Sequence, residues 1–309
     1  MKDAAGGEGH SAVQAMEVDR SGSQPCQGKP VFKKRREKLQ FFDLPIDMQC
    51  KILSELTLKE VVRTSVLSAK WRSARTMYPK LRFDADTICS GRNKCWSKQH
   101  TEEFIKNVNS VLKEHNGSFV ENFEVGFEFN GELVTHLDNW ARFVAASQTK
   151  NLVLVLVPAN TSVPRYSLPV ELLDSGTGFS VRLQHIHLGF VSIKLPVQFS
   201  GFPNLRKLDL DLVHVTAKDL QDLLSTCSNL ESLRIMGWLL HAELRVPNPL
   251  CNLRYLCVQY CNNTKIEFHA QRLKTFVLNG EPVPINLAES LELENVDFSP
   301  KPKFLLNML

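Results

Sequence analysis

One pattern constrains this chain more than any other: a short apolar motif that returns every twenty to twenty-five residues. Leu183/Ile186/Leu188, Leu205/Leu208/Leu210, Leu230/Leu233/Ile235, Leu253/Leu256/Val258 and Leu273/Phe276/Leu278 all read L-x-x-L-x-L, with starts 22, 25, 23 and 20 residues apart. Alternation within each copy is the period of a strand that buries one face. Val120/Phe123/Val125 and the apolar run Leu152 to Val157 are weaker, earlier copies, and Leu291/Leu293 is a later fragment. In a chain that is 43% hydrophobic a single match is uninformative. The steady period is informative, because a unit of this size cannot bury its apolar face without stacking on its neighbours.

Asparagine precedes an apolar position at Asn151, Asn204, Asn229 and Asn252. A turn-forming residue ahead of an alternating strand, repeated at this spacing, is the leucine-rich-repeat signature. Unrelated strands of a sandwich would instead be joined by hairpin turns, and Asn279-Gly280 is one such site. Elsewhere the gaps are long and often helix-like, as from Thr216 to Leu224, where Thr216 and Asp219 form a helix-start signal. The copies are irregular: Cys261 stands where the consensus wants Asn or Cys, but Val213 and Trp238 occupy that place in two others.

In a solenoid the pattern residues are buried and those between them face a concave surface. The expected target-binding set is His185, His187, Asp209, Asp211, Arg234, Tyr255, Gln259 and Tyr260, with Lys207 and Met236 beside them. Charge mixed with aromatics suits a recognition surface. It equally suits solvated strand residues. His185-x-His187 offers two imidazoles on one strand face, but no third or fourth ligand follows, so no metal site is assigned.

Ahead of the repeats lies a compact run of helix signals. Asp43 precedes Leu44-Pro45, and Pro is favoured in a first helical turn because its missing N–H is not needed there. Met48, Ile52, Leu53 and Leu56 form one apolar stripe. Thr57 and Glu60 are spaced as a capping box for a second helix that presents Val61, Val62, Ser65 and Val66. Ser68 can cap a third, holding Trp71 and Arg72. So small a core is expected to be completed partly by a partner. Further on, Thr101 opens an amphipathic helix with Phe104, Ile105, Val108, Val111 and Leu112, ended by Asn116-Gly117. It is expected to cover the first edge of the repeats.

From Phe41 to about residue 81 the Leu-Pro start, the Ile-Leu-x-x-Leu helix, Leu58-Lys59-Glu60-Val61-Val62 and the Val-x-x-x-x-Trp-Arg ending resemble the F-box. That is the adaptor-binding motif of substrate receptors in cullin-based ubiquitin ligases. Arg63 to Arg72 is especially similar to plant F-box leucine-rich-repeat proteins. Ala69 departs from that group, which often has a basic residue there, and Ile46 to Cys50 is less acidic and less aliphatic than usual. The resemblance implies a Skp-type adaptor as partner, through it a cullin, and an unknown target protein held by the repeats. It also implies a nuclear or cytoplasmic location. Leu44, Pro45, Ile52, Leu53, Leu56, Val66 and Trp71 would anchor the adaptor, some of them serving instead as the module's own core.

Other classes find little support. No G-x-S-x-G, H-E-x-x-H, Walker-type loop or G-x-G-x-x-G occurs, and Gly176-Thr177-Gly178 is too short for a phosphate loop. Non-catalytic function, with no cofactor, is the expectation. Net charge is +4, and the only dense basic run, Lys33-Lys34-Arg35-Arg36, reads as a nuclear-import signal or as a solvated charge run. No partnership with nucleic acid or membrane is expected. The eight cysteines lack C-x-x-C spacing and read as reduced structural thiols.

The predicted fold class is α+β: a small all-helical F-box followed by an irregular α/β leucine-rich-repeat solenoid. Its divisions are a disordered tail at 1–38, the F-box at 39–84, a linker and capping helix at 85–118, and repeats at 119–309. The apolar ending Phe304 to Leu309 leaves two readings open, a shortened chain or a final helix on the last repeat. A repeat scaffold without ubiquitin transfer is the alternative function.

Overall fold

Parallel strands in register carry the fold, and the repeat pattern is what puts them there. The structure is a computed structural model; it describes residues 39–64, 66–84, 98–115, 120–160, 163–173, 182–238, 243–246, 248–262, 265–281, 283–288 and 290–299. The 1–38 tail with Lys33–Arg36, Ser65, Asn116-Gly117, Gly176–Gly178 and Phe304–Leu309 lie outside the described residues.

Among the described residues, nine strands make one sheet. In order they are β1 (Lys80–Asp84), β2 (Asn122–Phe129), β3 (Asn151–Pro158), β5 (His185–Gly189), β7 (Lys207–Asp211), β8 (Ser232–Met236), β10 (Tyr255–Gln259), β12 (Thr275–Asn279) and β14 (Asn295–Ser299). Every neighbouring pair is parallel. Leu81, Phe123, Leu152, Ile186, Leu208, Leu233, Leu256, Phe276 and Val296 stand in one register row. All but Val296, on the edge strand, are buried. Each fully buried Leu or Ile contributes roughly 1.5–3 kcal/mol.

Parallel neighbours need a crossover, which must lie on the buried side of the sheet. Early crossovers are helical: α4 (Lys98–Glu114), α5 (Val134–Ala146), α6 (Val170–Leu173) and α7 (Ala217–Ser225). Thr216 caps α7 as its sequence foretold, accepting from the Asp219 backbone N–H at 3.0 Å. β4 (Ser167–Leu168) and β6 (Ser192–Ile193) pair in parallel as a separate two-stranded ribbon. Later gaps instead hold β9 (Glu243–Arg245), β11 (Lys265–His269) and β13 (Ile285–Ala288), which form a separate parallel sheet. A gap in a twenty-residue repeat leaves too few residues for a helix and both turns, and an extended segment crosses the same distance with fewer.

Asn204, Asn229 and Asn252 do form a ladder: Asn229 donates to the Pro203 carbonyl at 2.8 Å, and Asn252 to the Ser228 carbonyl at 3.3 Å. Asn151 is not part of it; it lies inside β3 and donates to Asn122 at 2.9 Å. The late fragment is shifted, since Leu291 is exposed in a turn and the row positions are Val296 and Phe298. Finally, α4 is not an edge cap. β1 precedes it and pairs directly with β2, so α4 is the first crossover, with its Phe104 stacked on Phe127 at 3.9 Å.

The sheet therefore begins inside the segment read as the helical module. That module comprises α1 (Ile46–Ser54), α2 (Leu58–Thr64) and α3 (Ala69–Arg75). It shares the repeats' core rather than leaving its completion to a partner alone: Phe41, Phe42, Leu56, Leu58 and Trp71 pack against that core. Tyr78 donates its hydroxyl to the Leu56 carbonyl at 2.6 Å, Lys80 reaches the Ser54 carbonyl at 2.7 Å, and Arg75 pairs with Glu114.

Candidate functional site

The helical module carries one candidate surface. Its capping box closes as the spacing required, with the Thr57 backbone N–H donating to Glu60 at 2.7 Å and the Glu60 N–H donating to the Thr57 hydroxyl at 3.3 Å. The bond from the Thr57 backbone holds the Glu60 carboxyl below its usual range. Ser68 accepts from the Trp71 N–H at 3.3 Å and so caps α3. Trp71 then stacks on Phe41 at 4.8 Å and meets Phe42 edge-on at 5.2 Å.

The apolar stripe expected on α1 divides between two faces. Gln49 and Leu53, four apart, point inward, and Leu53 has no exposed surface. Met48 and Ile52, also four apart, point outward, Ile52 with 45% of its surface exposed. Leu53 therefore leaves the expected adaptor set: it belongs to the module's own core, and no partner reaches it without local unfolding. Leu44 is half-buried and Pro45 exposed, Leu56 and Trp71 are packed partly inward, and Val66 is 84% exposed. Ile46, Val62 and Leu67 are exposed too, although they were not among the expected anchors. Periodicity alone had no means of telling these outward apolar positions from core. Solvent-facing apolar side chains gathered in one small segment mark an interaction surface.

The inner face of the sheet carries the second surface. Parallel pairing brings His185 and His187 next to Asp209 and Asp211 of β7, and register sets Asp209 beside Arg234 of β8. His185 Nε2 lies 3.3 Å from Asp209, which also takes Lys207 at 3.0 Å and Arg234 at 3.6 Å. His187 Nε2 lies 2.8 Å from Asp211, and Arg234 donates to the same oxygen at 2.9 Å. Asp209 was expected to be exposed and is not, with 4% of its surface open. Burial pushes its carboxyl up, but hydrogen bonds from His185 and Lys207 and the charges of Lys207 and Arg234 more than offset this and hold it at about 2. The second Asp211 oxygen is buried without a hydrogen bond among the described residues.

Arg234, Tyr255, Gln259 and Tyr260 are half-buried at this face. Tyr260 sits at φ 52°, in a row of left-handed positions that follow the strands: Phe190, Leu212, Gly237, Tyr260 and Gly280. The turn requires that conformation, and a non-glycine there is strained by roughly 1 kcal/mol or more. At Gly237 a Cβ would fall 2.3 Å from Leu212 Cδ2, so a side chain there would require Leu212 to move.

Among the described residues no three His, Cys, Asp or Glu side chains are grouped to hold a metal. Cys50, Cys227, Cys251, Cys257 and Cys261 are free. Burial pushes the Cys261 thiol up to about 11, and it receives the Trp238 backbone N–H at 3.5 Å, so it serves as a turn-stabilising group.

Comparison with known proteins bears on both surfaces. The F-box domain family matches residues 41–80, and the leucine-rich-repeat family described as At1g61320/AtMIF1, LRR domain, matches residues 111–307. The F-box/LRR-repeat protein At3g26922 of Arabidopsis thaliana is 30% identical over 203 residues, which is 65% of this chain and 61% of that protein. The F-box/FBD/LRR-repeat protein At1g13570 of the same plant is 28% identical over 193 residues, 62% of this chain and 43% of that protein. The chain thus spans about half the length of the curated relatives it matches. No solved structure matches it significantly.

Proposed function

The chain belongs to the F-box/leucine-rich-repeat family, and from that membership we propose that it is the substrate-recognition subunit of an SCF-type ubiquitin ligase. Its helical module docks a Skp-type adaptor, which connects to a cullin, while the repeats hold a target protein. The chain itself contributes no nucleophile; ubiquitin transfer gains from the tethering of target to ligase. A nuclear or cytoplasmic location goes with this reading, and a fluorescent fusion with Lys33, Lys34, Arg35 and Arg36 changed to alanine checks the import signal.

The observation that supports this reading most is the outward apolar set Pro45, Ile52 and Val66, with Met48 and Leu67 beside them. Exposed Leu, Ile, Met and Val at this density have no folding purpose, and a partner that covers them recovers the burial energy. The decisive variant is Ile52→Asp with Val66→Asp, because both positions face solvent and their change leaves the core intact. Co-purification with the adaptor should be lost while the urea midpoint stays near that of the parent. Undiminished adaptor recovery would remove the ligase reading and leave the repeat-scaffold alternative.

A further inference from the structure

The inner face is not uniform. From β5 to β8 its charges neutralise one another, whereas β2 and β3 present something else. On β2 the inward residues are Glu124, Gly126 and Glu128; on β3 they are Val153, Val155 and Val157, each directly beside its β2 counterpart. Alternate positions of β3, Leu152, Leu154 and Leu156, are buried on the other side of the sheet. Three valines therefore line a face where neighbouring strands carry polar groups, and Val157 keeps 47% of its surface in solvent.

Gly126 leaves a recess beside this apolar wall. A Cβ placed there would meet nothing closer than Asp84 Cβ at 3.9 Å, so the space is open. On the opposite side Val155 leans over Gly189, where a Cβ would lie 3.0 Å from Val155 Cγ1, so that side is filled. The recess is bounded along its strand by two carboxylates, about 13 Å apart at the strand rise. Glu124 accepts from Asn122 at 3.5 Å and lies 3.7 Å from Arg82, whose closer partner is Asp84 at 2.8 Å. Among the described residues Glu128 has no such neighbour, and burial moves its carboxyl upward. A partly desolvated carboxylate gains from a ligand that brings it a cation.

We propose that the recess over Gly126 takes a lysine or arginine side chain of the target, its aliphatic stem on Val155 and its charged head at Glu128, presented by an extended segment with aliphatic neighbours. This rests on the reading of the inner face as the target surface. Lysine and arginine suit such a place because the stem packs on apolar surface while the head reaches a polar rim.

The test uses the intact chain and a displayed library of random decapeptides. The recovered peptides should be enriched in Lys or Arg flanked by aliphatic residues. The best of them, measured by fluorescence anisotropy, should bind about tenfold more weakly to Glu128→Gln, and raised salt should weaken binding to the parent more than to that variant. Gly126→Val fills the recess without a backbone clash and should abolish binding, with the circular dichroism melt showing that the fold persists. A library that yields no peptides, or peptides without cationic enrichment, overturns the proposal; so does parental affinity in both variants. Adaptor co-purification from the same preparations separates the two readings. If peptides bind as described but the adaptor is never recovered, the ligase reading fails and the recess stands; the reverse result removes the recess alone.

Discussion

The helical module and the repeat sheet dispose of similar apolar residues in opposite ways. In the sheet, Leu208, Leu233 and Leu256 stand in one row with no exposed surface. In the module, Leu53 is equally buried, yet Ile52 beside it faces solvent. A strand buries alternate residues, so one sheet face consumes every pattern leucine. A short helix against a small core can bury only one side, and the remaining apolar residues stay outside. The apolar side chains left outside the module are those the proposed adaptor would cover, whereas the pattern leucines of the sheet are consumed by the fold.

Truncating one apolar side chain in each region should have very different costs. Leu233→Ala should cost about 2–5 kcal/mol in urea unfolding, since it opens a cavity in the middle of the row. Ile52→Ala should change stability by no more than about 0.5 kcal/mol. Equal effects would mean that Ile52 is core after all.

Polar residues sharpen the contrast next. Asp209 is held at about 2 against an ordinary carboxyl near 4. A depressed carboxyl gives stability that is fully present above the unfolded value and is lost as pH falls through about 2. The parent should therefore lose on the order of 2 kcal/mol between about pH 4 and pH 2, and Asp209→Asn should lack that component. Acid titration of the urea midpoint for both proteins measures the difference. Thr57→Ala is the smaller probe: it opens the capping box of α2 and should cost about 1 kcal/mol. Its effect on adaptor recovery should be well below that of Ile52→Asp with Val66→Asp, because Thr57 shapes the helix without forming the apolar surface.

Much of this was legible in the chain. The pattern leucines from Leu183 to Leu278, the caps at Thr57, Ser68 and Thr216, and the turn asparagines at 204, 229 and 252 all follow from local spacing. Asn151 misled because the residue type recurs inside a strand as readily as before one. Tyr78, Leu81 and Phe83 form a first copy of the repeat that went unseen, since an aromatic stands at its first position and the copy falls within the helical module. Asp209 looked exposed because alternation assigns a face but not the depth to which neighbouring side chains cover it.

The period, the strand faces and the helix starts are local properties of the chain, because each depends on residues a few positions apart. Which apolar residues of the module remain outside, that β1 belongs to the sheet, and that Val157 of β3 stands beside Glu128 came from the folded arrangement alone. Those depend on which strands become neighbours and in what register, and register between segments thirty residues apart is fixed by their packing together rather than by either segment alone.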